Sequence, residues 1–129
     1  MIFLDTSAIY AAADDADLNH DLAIQALRRV LEDGDELLVH NYVLLEVSAL
    51  LQRRLGLTEA ISALEQSDGY QVHWITAEDH EAAVALLARR GRRRLSLVDC
   101  ASFVVMRRYG LTQAVAFDAD FEDEGFTRY

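Results

Sequence analysis

Four segments of the 129-residue chain bring a carboxylate to a point where an apolar run stops or turns helical. They are Asp5 in "FLDTSA", Glu46 in "NYVLLEVSALLQRR", Asp99 in "RLSLVDCASFVVM" and Asp118 in "AVAFDADFEDEG". Each acid has a purely local use. Asp5, with Thr6 and Ser7 and then "AIYAAA" behind it, suits a helix N-cap, and so does Asp118. Ser96 and Asp99 have the S-x-x-D spacing of a capping box. Glu46 falls at the edge of the stripe Val43, Leu44, Val47, Leu50 and Leu51, where it can pair with Arg53 or Arg54. The other use is collective. Four carboxylates in one cleft repel and raise one another's pKa unless a cation neutralises them. All twelve basic residues are arginine, so without lysine that cation is an arginine or a metal ion. A donor set of oxygens favours Mg2+ or Mn2+ over zinc. His20, His40, His73 and His80 show no metal-ligand spacing with one another and read as surface or turn residues. The lone Cys100 provides neither a disulfide nor a cysteine zinc site.

Which use applies depends on the elements that hold the acids. Apolar periodicity predicts strands at about 1–5, 36–40, 71–75, 114–117 and 126–129. Helices are predicted between them at roughly 7–13, 18–33, 42–54, 58–66, 78–90 and 97–109. "EDGDE" and "SDGYQ" supply turns before the second and third strands, and Gly110 suits a helix C-cap before the fourth. Strands alternating with helical crossovers imply an α/β fold, one domain over residues 1–129, with a parallel sheet covered by helices on both faces. In such sheets ligands bind beyond the carboxyl ends of the strands, at the switch in strand order. Asp5 and Asp118 stand directly after strands, whereas Glu46 and Asp99 sit near the starts of core helices.

Composition narrows the chemistry further. A net charge of −10 argues against a simple basic nucleic-acid-binding module, but not against an enzyme that brings cations to a phosphate. The missing lysine excludes a P-loop, Schiff-base chemistry and a phosphoryl-transfer domain of the receiver or phosphatase type. No apolar run approaches the ~20 residues of a membrane span, and the start lacks the pattern of a signal peptide, so a soluble cytoplasmic protein is expected. Positive charge concentrates in "ARRGRRRLS". Arg89 and Arg90 are accounted for as the last turn of a helix that Gly91 ends. Arg92, Arg93 and Arg94 are not, and are read as a loop that meets RNA phosphates or a partner's acidic groups.

"FLDTSA", "LLEVSALL", "LSLVDCASFVVMRRYG" and "AVAFDADFEDEGF", in that order, resemble the PIN domain, and more narrowly the VapC-type toxins of bacterial toxin–antitoxin pairs. The resemblance runs from residue 1 to about 126. It implies strand order 3-2-1-4-5, which puts the first and fourth strands side by side. It also implies an acidic site made of Asp5, Glu46, Asp99 and Asp118. Asp5 and Asp99 are the first choices for direct ligands of Mg2+ or Mn2+. Glu46 and Asp118 then bind directly or through water. Thr6 and Ser7 match the hydroxyls that follow the first aspartate, and Asp120 is an outer or second-metal candidate. The implied activity is metal-dependent endoribonuclease action on a structured RNA such as tRNA or rRNA. The implied partners are an antitoxin and a second copy of the chain. The broad apolar faces of "AIYAAADDADLNHDLAIQALRRVL" and "YVLLEVSALLQRRLGL" fit such covering. The alternative is a PIN-like binding module without catalysis.

Overall fold

Three apolar residues, Ile2–Leu4, form the central strand of the protein, and all three are buried. In the computed structural model, which describes residues 1–129, β1 (Ile2–Leu4) pairs in parallel with β2 (Leu37–His40) on one side. On its other side it pairs with β4 (Gln113–Val115). β3 (Gln71–His73) and β5 (Thr127–Arg128) complete a five-stranded sheet of order β3-β2-β1-β4-β5. The register sets Phe3 against Leu38 and Ala114. Buried on both faces, such strands read as continuous apolar runs rather than alternating ones.

Seven helices connect them: α1 (Thr6–Ala13), α2 (His20–Glu32), α3 (Asn41–Arg54), α4 (Leu57–Gln66), α5 (Ala77–Arg90), α6 (Leu97–Arg108) and the single turn α7 (Asp120–Asp123). The chain steps outward from β1 through β2 to β3, then crosses back to β4. Right-handed crossovers of that order place helices on both faces of the sheet. Phe3, Leu38, Val47, Leu51, Phe103 and Met106 fill the core. Phe103 of α6 packs edge-on against Phe121 and stacks with Phe126, and Phe3 of β1 stacks with Phe121, which pins the α7 segment to α6 and the sheet.

The observed strands are shorter than their apolar runs, because pairing stops where each chain turns into its helix. Periodicity predicts no helix at α7, since a four-residue turn is too short to carry one. The reading of the histidines as surface or turn residues is corrected for His40 and His73. His40 is completely buried: its Nδ1 accepts the Val43 N–H that opens α3, and its Nε2 lies 2.8 Å from Ser102 Oγ. Burial holds its pKa down to about 3, so it is a neutral core cap. His73, half-buried, binds the buried Asp79 at 2.7 Å. A polar side chain at a strand end enters the core when partners, here one nearby and one distant in sequence, satisfy both ring nitrogens.

Candidate active site

The carboxyl ends of β1 and β4 lie side by side, and the acids gather there. Asp5 leaves β1 in extended geometry and caps α1. Its Oδ2 accepts the Ser7 N–H at 3.1 Å and the Ser7 hydroxyl at 2.7 Å. Ser7 Oγ in turn accepts the Phe117 N–H at 2.9 Å, joining the β1 end to the segment after β4. Asp99 completes a capping box with Ser96: Oδ2 accepts the Ser96 N–H, and Ser96 Oγ accepts the Asp99 N–H, both at 3.0 Å. Asp118 Oδ1 accepts the Asp120 N–H at 3.0 Å, two residues on, in the turn that leads into α7. The local and collective readings therefore coexist at Asp5 and Asp99, whereas Asp118 is not a helix cap, because Ala119 holds the N-cap position of α7. In all three aspartates a backbone hydrogen bond engages one oxygen and leaves the other for a further ligand.

The tightest group is Asp99, Asp118 and Asp120, whose ligand oxygens all lie within 4.8 Å of one another. Asp120, placed by its sequence position at the margin, is thus part of the centre. Asp5 and Glu46 adjoin through Asp99, whose charge both of them feel. Asp5 is 3% exposed, and burial pushes its pKa up to about 7 despite the Ser7 hydrogen bonds; the Asp99 charge adds to the rise. Burial also raises Asp99, with Asp118 adding repulsion. Asp120 rises to about 6, through burial and then through facing Asp118, with Arg92 opposing. Half-buried Glu46 rises through burial, and the neighbouring Thr6 hydroxyl works against the rise. Thr6 Oγ1 nevertheless falls outside hydrogen-bonding geometry and is the one buried side-chain polar atom left without a partner. Hard oxygen donors at strained ionisation, with an orphaned hydroxyl among them, fit a divalent cation such as Mg2+ or Mn2+.

Beside the acids opens a cleft of about 360 Å3, bordered by Thr6, Ser7, Tyr10, Asn19, Phe117 and Asp118. Tyr10, Asn19 and Phe117 were not among the sequence candidates. Phe117 could have been found, being next to Asp118, but nothing in the sequence marks Tyr10 or Asn19. The arginine loop divides. All three of its arginines are exposed, but Arg92 pairs with acids, 3.4 Å from Asp120 and 3.5 Å from Asp123, whereas Arg93 and Arg94 form no ion pair. Gly91, with φ +60°, makes the left-handed C-cap that releases the loop from α5. Arg90 and Arg107 instead clamp Glu124, at 2.6 and 2.8 Å, and hold its carboxyl down near pKa 2.

Comparison with known proteins agrees with this architecture. The PIN domain family matches residues 2–126. The 23S rRNA-specific endonuclease VapC20 of Mycobacterium tuberculosis is 38% identical over 128 residues, covering 98% of this chain and 95% of the relative. Ribonuclease VapC26 of the same species is 24% identical over 119 residues, covering 91% and 86%. The crystal structure of M. tuberculosis VapC20, described as a sarcin–ricin loop cleaving toxin, superposes with a TM-score of 0.86 at 36% identity, covering 98% of this chain and 97% of that one. FitAcB from Neisseria gonorrhoeae shares the fold alone, with a TM-score of 0.63 at 13% identity over 100% of this chain and 96% of that one. Carboxylates gathered at the β1–β4 switch point, a sheet of the same order and a family match over nearly the whole length lead to one assignment: the chain belongs to the PIN domain family.

Proposed function

We propose that residues 1–129 form one nuclease domain, a metal-dependent endoribonuclease that acts as the toxin of a toxin–antitoxin pair and cleaves a loop of ribosomal RNA. The observation that carries this reading is the convergence of Asp99, Asp118 and Asp120 within 4.8 Å, with Asp5 and Glu46 alongside, in a chain 38% identical to an rRNA-specific endonuclease. Asp5, Asp99, Asp118 and Asp120 are the residues that would hold Mg2+ or Mn2+. When bound, such an ion supplies positive charge beside the scissile phosphate and acidity for the attacking water. Glu46, half-buried and raised in pKa, is suited to orient that water and take its proton. Ser7 fixes Asp5, and Thr6 keeps a free hydroxyl for a ligand carboxylate or a substrate phosphate.

The partners follow from the same reading. An antitoxin segment and a second subunit would cover apolar surface that the monomer leaves open. A groove of about 340 Å3 between α1, α2 and α4, bordered by Ile9, Ala13, Ile24, Leu27 and Tyr70, supports this, as do the exposed Leu45 and Trp74. No helix is long and apolar enough to cross a membrane, which accords with a cytoplasmic site of action.

Mapping RNA 5′ ends after brief induction of the chain tests the activity and the target together. New ends at discrete rRNA positions are expected, absent in Asp99→Asn, and reproduced by purified protein with Mg2+ or Mn2+ but not in EDTA. Full cleavage in EDTA would remove the metal mechanism. Harmless expression of folded protein with no RNA cut would remove the toxin reading and favour a binding module.

A further inference from the structure

Phe117 borders two clefts at once. On one side it faces the carboxylate cleft with Thr6, Ser7 and Asp118. On the other it forms a separate apolar groove of about 130 Å3 with Leu22 and Ala26 of α2, Val115 and Ala116 at the end of β4, and Tyr129. Two guanidinium groups edge this groove. Arg29 lies 5.1 Å from the centre of the Tyr129 ring, and Arg128 lies 5.5 Å from the centre of the Phe117 ring. The groove is also fixed relative to the acids. The Phe117 N–H donates to Ser7 Oγ, and that hydroxyl donates to Asp5 Oδ2.

Leu22, Ala26, Arg29, Arg128 and Tyr129 take no part in the acidic centre, yet with Phe117 their chemistry is specific. The space is well below the 300–1,000 Å3 of ordinary small-molecule pockets and suits a single planar ring system. Aromatic and guanidinium faces are what proteins offer to an unstacked RNA base. In a chain of net charge −10, Arg29 and Arg128 also form a local positive rim beside the site. Arg128 has an acidic neighbour, Glu122, at 3.5 Å, but both are about half exposed, so a phosphate can displace that contact.

We propose that this groove is a nucleobase subsite. An unpaired base next to the phosphate held at the carboxylates enters it and stacks on Phe117, while Arg29 and Arg128 meet the flanking phosphates. The subsite rests on the endoribonuclease reading, since it needs RNA as the substrate.

The test uses full-length protein carrying Asp99→Asn, so that binding is measured without cleavage. The probe is a fluorescein-labelled sarcin–ricin loop hairpin, intact or with one abasic nucleotide at each loop position in turn, and the readout is anisotropy in Mg2+. Adding Phe117→Leu should weaken binding of the intact hairpin by roughly five- to a hundredfold, the loss typical of one base–aromatic stack. Phe117→Trp should retain affinity, which separates loss of the ring from loss of the fold. One abasic position should weaken binding to the protein that keeps Phe117 and have no further effect once Phe117→Leu is present. Equal affinity of the Phe117→Leu variant for the intact hairpin would overturn the subsite while leaving the nuclease reading in place. Impaired self-association in sedimentation with unchanged hairpin affinity would make the groove a subunit surface and overturn it too. Failure of the Asp99→Asn protein to bind the hairpin would overturn the rRNA reading and the subsite together.

Discussion

At the scale of single residues, one carboxylate does two jobs in this protein. Asp5 caps α1 through Oδ2 and is 3% exposed, so its charge is costly unless a cation is near. An amide keeps the capping acceptor and nearly the same volume but removes the charge. Asp5→Asn should therefore lose RNA cleavage by at least ~100-fold while keeping its fold. In metal-free buffer its melting temperature should equal or exceed that of the parent, because a buried charge has been removed. Cleavage assays and thermal melts followed by circular dichroism check both halves. A variant that unfolds would make Asp5 a structural cap and nothing more.

At the scale of elements, the site depends on α7 being held against the ends of α5 and α6. Glu124, whose carboxyl is 3% exposed, performs this by receiving Arg90 and Arg107 from those two helices. Its pKa falls from 4.5 to about 2, so the folded state favours the ionised form. A depressed carboxylate pKa contributes its full stability above the unfolded value. That stability is lost as pH falls from about 4.5 towards 2. Glu124→Gln should cost about 1–2 kcal/mol at pH 7, a range that allows for the solvent-screened arginines. The gap from the parent should shrink towards zero below pH 3. Urea denaturation of both proteins across that range measures it. A gap independent of pH would mean that the clamp acts through packing rather than charge.

At the scale of the whole molecule, an acidic protein that binds a polyanion must localise its positive charge. Arg93 and Arg94 are exposed and unpaired, whereas Arg92 is engaged with Asp120 and Asp123. Replacing Arg93 and Arg94 together by Gln should lower the slope of log affinity against log salt by about one to two, and weaken all RNA sequences alike. Arg92→Gln should change the slope less, because its charge is already partly spent on the acids. Binding titrations between low and moderate salt separate the two. An unaltered slope in the double variant would assign those arginines to a partner or to solvent.

The order of strands and helices was legible in the sequence because the apolar runs and their spacing encode burial directly, and the capping roles of Asp5 and Asp99 were legible because caps are local. What lay in the sequence only as a resemblance was which acids meet. Asp120 joins Asp99 and Asp118 because α7 forms after β4, and a four-residue turn stabilised by Phe121 packing on Phe103 leaves no periodic trace. His40 looks like a turn residue in sequence because its burial depends on Ser102, sixty-two residues away, completing its hydrogen bonds. The three arginines after Gly91 look equivalent in sequence, yet only Arg92 faces an acidic partner brought near by the sheet. Local propensity and hydrophobic pattern fix elements, because they act over a few residues. Clustering of charge, burial of polar groups and the choice of ion pairs were decided by the tertiary structure, because they depend on which distant segments the parallel sheet sets side by side.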